Sequence, residues 1–334
     1  MFWLVVLLLL AAGGATLQLL GPPSQERPFA TASQAPPRAG AMPTQPAQQA
    51  ARAAPTSRPG RDTPGPIADP DPALLEPITG HPSDLLPRIA SDGRMPMQVY
   101  AAGFDQSTRR PRVGLLLAGV GLNQADSEAA IRNLPGGITL AFSPYAANPA
   151  KLLAGARLAE HEYLLSLPME PQGFPLNDPG PQAMMTSLPP EQNHQRLDWA
   201  LSRIAGYVGA TGALGTMRGE RFASVSDQMN PVLSDLARRG LLYVDARPGA
   251  APPPIVWGRS IDIVVDDPTT AVEIDDKLGR LTRRAREKGS ALGLASAVRP
   301  VTVDRIAAWA SRLAADGLAI APVSALVQQP TASK

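Results

Sequence analysis

Glu170, Asp178, the run Arg218-Gly-Glu220-Arg221 and the pair Asp245-Ala-Arg247 are the residues whose types and spacing could do chemistry, with Asn123 as a neutral companion. Each follows an apolar run of strand length, and in α/β folds ligands meet the chain at strand ends. Carboxylates and guanidinium groups placed there can hydrogen-bond sugar hydroxyls, or grip a carboxylate-bearing glycan in bidentate fashion. Glu170, Asp178, Glu220 and Asp245 could also form an all-oxygen cation site, which would suit magnesium or calcium better than zinc. The alternative is that these charges pair with one another and hold loops together.

Other chemistries are poorly provided for. The absence of cysteine excludes disulfides, thiolate catalysis and Cys-held metal. His81 sits in a proline-rich stretch, His161 between a helical run and the next strand, and His194 in a solvated helical segment, so each reads as structural or surface. Gly119-Val-Gly121 begins a dinucleotide fingerprint. Its third position, however, is Gln124, and the next strand ends in Ser143-Pro144 without an acid for a ribose. No GxxxxGK[ST] phosphate loop occurs. A net charge of +2, with no Lys/Arg stripe interleaved with aromatics, argues against nucleic acid.

The elements that must position these residues begin late in the 334-residue chain. Residues 2–20 are apolar and uncharged, long enough to cross most of a bilayer, and read as a transmembrane signal anchor or a signal peptide. Residues 21–82 hold many of the 37 prolines and almost no aliphatic clusters, so they read as a disordered Pro/Ala-rich linker. A lead-in over 83–111 precedes the folded part, 112–326, and 327–334 is a short tail.

Within the folded part, strand-like runs at 113–117, 138–142, 163–167, 207–210, 241–244, 261–265, 291–295 and 318–321 alternate with helical patterns near 125–133, 149–160, 190–205, 226–239, 270–287 and 302–316. Ser127, Asp227 and Thr302 mark helix starts, and Gly240 and Gly317 mark ends. Strand, helix, strand at this spacing means parallel strands with crossover helices, in a barrel or an open doubly wound sheet.

The landmarks Leu140-Ala-Phe-Ser-Pro-Tyr145, His161-Glu162, Leu167-Pro-Met-Glu-Pro171, Asn177-Asp-Pro-Gly-Pro181, Gly206-Tyr-Val-Gly209 and Arg239-Gly-Leu-Leu-Tyr-Val-Asp245 together resemble the divergent polysaccharide deacetylases. The resemblance covers about 112–326. It implies an α/β fold, a distorted (β/α) barrel of the polysaccharide deacetylase type, usually seven-stranded, with the groove at the strand C-termini. One of the eight strand-like runs then lies outside the barrel.

The family's deacetylation implies zinc held by about three Asp/His ligands, with a base and an acid beside it. This sequence departs at each landmark. Ala118-Gly119 stand where relatives carry paired aspartates, Ser166 and Ala297 where they carry histidines, and Ala210 to Glu220 holds extra residues but no histidine. The expected cofactor is therefore none. The leading reading is an envelope protein, inner-membrane anchored with a periplasmic domain or released there by cleavage. It would lack the metal site and bind an envelope polysaccharide, a peptidoglycan fragment or an envelope protein. Alternatives are an active metal-dependent deacetylase with a rearranged site, and a structural scaffold for envelope machinery.

Overall fold

The computed structural model describes residues 58–331. The segment expected to span a membrane, 2–20, and the first part of the expected linker lie outside these residues. Among the described residues no helix is long and apolar enough to cross a membrane.

Strands β1 (Leu75–Ile78) and β2 (His81–Pro87) form an antiparallel hairpin, followed by the single-turn helix α1 (Pro96–Val99). The main sheet contains β3 (Arg112–Val120), β4 (Thr139–Phe142), β5 (Tyr163–Ser166), β6 (Gly209–Thr211), β7 (Leu242–Asp245), β8 (Gly258–Ser260), β9 (Ile263–Val264), β10 (Ser290–Ala295) and β11 (Ala319–Ile320). Interleaved with them are α2 (Gln124–Asn133), α3 (Pro149–Leu158), α4 (Pro190–Leu201), the short α5 (Glu220–Ala223), α6 (Ser226–Arg238), α7 (Ala271–Lys288) and α8 (Pro300–Leu313). The strand order is β8-β7-β6-β5-β4-β3-β10-β9, with every neighbouring pair parallel.

The two ends of that order, β8 and β9, are consecutive pieces of one stretch. Residues 258–260 pair with β7, and 263–264 pair with β10. The sheet therefore curls until a single bent strand joins its edges, which makes seven staves of a distorted barrel. The expected strand over 261–265 begins earlier and is broken at this bend. The strand at 319–320 pairs only with the first two residues of β3, so it is the run that lies outside the barrel.

Parallel strands covered on both sides are apolar on both faces, as the sequence of β3 shows. One face packs against the helices: Leu115 and Leu117 of β3, with Leu140, Leu165 and Tyr243, meet Leu233 and Leu236 of α6, Leu278 and Leu281 of α7, and Ile306 of α8. The other face fills the barrel, with Leu116, Ala118, Leu164, Val244 and Leu294 in one cluster. The helices present their apolar residues at three- and four-residue intervals, as in Met229, Val232, Leu233 and Leu236. Gly240 and Gly317 follow their helices with φ of 70° and 77°. The caps differ from expectation. Ser127 lies inside α2, whose cap is Asn123, and Val225 and Arg299 precede α6 and α8 without side-chain cap bonds.

The linker expected over 21–82 ends sooner than composition indicates. Within 58–82, Ile67 and Leu74 are buried in the barrel-interior cluster, and β1 pairs with β2. Few apolar residues are needed here because the segment borrows the barrel's core instead of making its own. The lead-in continues the same plug with Met97, Tyr100, Ala101 and Phe104. At the other end of the chain, Val327 joins this cluster, and Gln328 exchanges two backbone hydrogen bonds with Gly258, so the expected tail is in part a component of the barrel floor. Gly114 permits that approach: a Cβ there would stand 2.9 Å from the Ala321 carbonyl oxygen.

One carboxylate ties these pieces together. Glu162 is fully buried at the strand N-termini and accepts from Ala102 N (3.1 Å), Thr139 Oγ1 (3.1 Å), Ser324 N (2.9 Å) and Ser324 Oγ (2.5 Å). Burial raises its pKa, opposed by these hydrogen bonds. Glu162→Ala leaves two backbone N–H groups buried without acceptors, at roughly 1–3 kcal/mol each. It is expected to lower the urea-unfolding free energy accordingly. Because the folded pKa is raised, the Glu162 contribution is complete below the ordinary glutamate range and is lost as pH rises through the folded value. The stability gap between wild type and Glu162→Ala should therefore shrink with increasing pH, and a gap that widens would contradict this assignment.

Candidate functional site

All main strands end on the same side of the barrel. Alternation from the interior residues Leu116, Ala141, Leu164, Val244, Val264 and Leu294 places Ala118, Ser143, Ser166, Ala246, Asp266 and Ser296 inward at this mouth. The Ser166 and Ser296 hydroxyl oxygens are both buried without hydrogen-bond partners among the described residues. Asp266, the carboxylate on this inner ring, is committed to the backbone and accepts from Ser296 N at 2.8 Å and Ala297 N at 3.0 Å. It thereby clamps the loop after β10, whereas the cap of α7 is Thr270.

The mouth is also filled. After β6 the chain turns back on itself between Leu214 and Met217, which exchange two backbone hydrogen bonds of 2.9 and 3.2 Å. Ala213 is fully buried in the interior cluster, and Leu214 is buried beside it. The turn lies over the end of β3: a Cβ built on Gly119 would stand 3.7 Å from the Gly215 Cα and 3.6 Å from the Ser296 carbonyl oxygen. Gly119 itself has φ of 79°, a conformation that favours glycine over aspartate. The 213–217 turn thus forms a plug over the end of β3.

Zinc does not fit these residues. Ala118, Gly119, Ser166 and Ala297 offer no imidazole or carboxylate, and among the described residues no group of three or more His, Asp or Glu side chains could hold a metal ion. His161 is buried, with Nδ1 2.7 Å from the Ile138 carbonyl and Nε2 3.3 Å from that of Ile131, and burial lowers its pKa. His194 lies on α4 beside Asp198, and His81 is exposed at the start of β2.

Six of the charged candidates pair with one another. Glu170 is 3% exposed; its Oε1 lies 3.0 Å from Arg221 Nη1, and its Oε2 accepts from Thr186 N and Oγ1 at 2.7 and 2.6 Å. Arg218 Nε is 3.2 Å from Glu220 Oε1, an ion contact whose N–H is not aligned for a hydrogen bond. Glu220 also accepts from Gln172 N at 3.3 Å. Arg247 grips Asp245 with its backbone N, Nε and Nη2, the last at 2.6 Å, and these bonds raise the guanidinium's pKa.

Two groove candidates have local duties instead. Asn123 caps α2, its side chain accepting from Asp126 N at 3.1 Å. Asp178 is exposed and accepts from Gly180 N at 2.8 Å in a turn. The pair Asp245 and Arg247 is displaced from the expected groove in a different way. Leu242, Val244 and Ala246 face the interior, so Tyr243 and Asp245 face outward, toward α6. There they line a pocket of about 210 Å³ with Met229 and Asn230.

Sequence reasoning missed the plug and the outward turn of Tyr243 and Asp245. The surplus residues between β6 and α5 were a usable signal for the first. For the second, the two-residue step from Tyr243 to Asp245 gave the shared face, but not which side of the barrel it was.

The model of the divergent polysaccharide deacetylase family matches residues 115–327. The chain belongs to that family. A solved structure of an uncharacterised protein from Agrobacterium tumefaciens C58 is similar at 32% identity with a TM-score of 0.68, covering 73% of this chain and 100% of the other. Among curated proteins, none matches.

For this divergent polysaccharide deacetylase family member, restoring a single ligand should not restore a metal site. Ala118→Asp would place a carboxylate in the apolar interior cluster that includes Leu116, Ala213 and Leu294, with no cationic group to pair with it in that cluster. It is expected to cost roughly 3 kcal/mol or more, because a buried unpaired charge is so poorly solvated. The thermal midpoint should fall, and added zinc should not raise it. A zinc-dependent rise would show that the mouth opens.

Proposed function

We propose that this chain acts in the cell envelope by binding glycan without hydrolysing it. The observation that carries the reading is the barrel mouth: Ala118, Gly119 and Ser166 stand at its inner ends, and the 213–217 turn is packed over them. Metal-dependent amide hydrolysis needs a cation that polarises the carbonyl and activates water, together with space for both. The residue types at these strand ends and the turn packed against Gly119 support a reading without that chemistry. Membership of a polysaccharide deacetylase family supports a carbohydrate-related role. The envelope location rests on the apolar run 2–20 and the proline-rich stretch behind it, which together suit a domain held away from a membrane.

Charged groups neutralised in pairs, as Glu170 with Arg221 and Asp245 with Arg247, favour hydrogen bonding over proton transfer. Neither pair leaves a lone carboxylate poised as an acid or base. Purified full-length protein, incubated with N-acetylglucosamine oligomers, is expected to bind them, to carry far less than one equivalent of zinc, and to release no acetate above the buffer rate. One equivalent of zinc accompanied by acetate release would replace this reading with an active deacetylase. Absence of any oligosaccharide binding, with an envelope protein recovered by cross-linking, would replace it with a scaffold.

A further inference from the structure

A groove of about 380 Å³ runs between α7 and α8 toward their C-terminal ends, on the outside of the barrel. Three guanidinium groups line it: Arg283 and Arg286 from α7, and Arg312 from α8. Elsewhere on α7, Arg280 and Arg284 each hold a carboxylate, Asp276 at 2.8 Å and Asp262 at 2.7 Å. The three groove arginines have no ion-pair partner among the described residues, and Arg283 and Arg312 make no side-chain hydrogen bond there either. Arg286 makes one, from Nη2 to the Asp316 carbonyl oxygen at 3.1 Å, which fixes its place in the groove. Of the two lining carboxylates, Asp275 is taken by Arg305 at 2.8 Å, so only Asp316 opposes the three cations. The helix dipole favours cations in a last turn, which accounts for Arg286 and Arg312 but not for Arg283, one turn earlier.

The groove also has a gap built into it. Gly279 lies in the middle of α7, where glycine weakens a helix. Crowding does not require it: a Cβ there would meet only Arg283 Nη1, at an ordinary 3.7 Å. What the missing side chain gives is room beside that guanidinium. The floor is apolar, because its polar atoms satisfy one another: Trp309 Nε1 donates to Thr282 Oγ1 at 2.9 Å, and Thr282 Oγ1 to the Leu278 carbonyl at 2.9 Å. A cationic rim over an apolar floor suits an anion that carries carbon. One guanidinium fork already satisfies a carboxylate, whereas forks from two helices match the several oxygens of a phosphoryl group. The volume of about 380 Å³ corresponds to about a dozen water molecules at ~30 Å³ each, room for a phosphoryl group and a few carbon atoms esterified to it.

We infer that this groove binds a phosphomonoester, free or as a lipid headgroup, through Arg283, Arg286 and Arg312. The site is independent of the glycan-binding reading and stands or falls without it. The test is calorimetric titration of the full chain, at constant ionic strength, with sn-glycerol 3-phosphate, with dihexanoyl phosphatidic acid below its micelle concentration, and with acetate. Both phosphomonoesters are expected to bind and acetate to bind far more weakly. Tighter binding of the phosphatidic acid assigns the site to a lipid headgroup, and equal binding assigns it to a free ester; either supports the phosphoryl site. Arg283→Gln and Arg312→Gln are each expected to weaken binding roughly tenfold or more, as loss of a charge-assisted fork should. Arg280→Gln, whose guanidinium serves Asp276, is expected to leave binding unchanged. Gly279→Leu should weaken binding as much as the groove arginine variants while the thermal midpoint holds or rises, since leucine improves the helix and fills the gap. Failure of both phosphomonoesters to bind overturns the inference, as does equal binding of acetate. So does a loss in Arg280→Gln as large as in Arg283→Gln, which would mark surface charge alone, or full binding retained in Arg283→Gln, Arg312→Gln and Gly279→Leu.

Discussion

A parallel sheet has two raw edges, and everything else in this molecule depends on how those edges are joined. Full closure removes unpaired strand edges, but it requires one strand to serve both sides. Residues 258–264 do so by pairing with β7, bending, and then pairing with β10. Asp262 pins the bend. Its Oδ2 accepts from Leu292 N at 2.8 Å and from Arg259 Nη2 at 3.0 Å, while Oδ1 accepts from Arg284 Nε at 2.7 Å. Arg259 reaches on to the Ser290 hydroxyl at 2.8 Å, so one ionic cluster links the bent strand, β10 and α7.

Closure creates two ends, and the chain treats them differently. The floor is covered by segments from both ends of the described chain, with Glu162 accepting hydrogen bonds from each. Burying this carboxyl group costs desolvation that its four donors offset only in part, and it fixes where those segments dock. The mouth is shut by the 213–217 turn, while Asp266 draws the loop after β10 inward. Burial of Ala213 and Leu214 at that place stabilises the closed barrel through the same apolar surface that an open groove would expose.

Packing, not coordination, holds the strand ends at this mouth. Ala118, Gly119 and Ser166 stand at the inner ends of their strands, and the loop after β6 packs over Gly119. Charges that remain on the rim are spent on loops: Glu170 joins the segment after β5 to Thr186 and Arg221. Asp245 and Arg247 stand apart because their strand turns them away from the mouth, toward a pocket on the helical side.

The sequence by itself determined the alternation of strands and crossover helices and that one strand-like run lies outside the barrel, while the structure identified that run as 319–320. The two sequence readings rest on local matters: apolar periodicity, helix-ending glycines and residue identity at motif positions. Only the tertiary structure decided that the proline-rich stretch near 67–78 packs, since its apolar residues are too few to form a core and gain burial only against a barrel already made. It alone decided that Asn123 and Asp178 serve backbone turns, and that Asp245 faces outward, because a two-residue alternation identifies a shared face without saying which face is inside. The plug belongs to the same class. Its residues are visible in the chain, but their place over Gly119 depends on strands far apart in sequence being brought to one mouth by closure of the barrel.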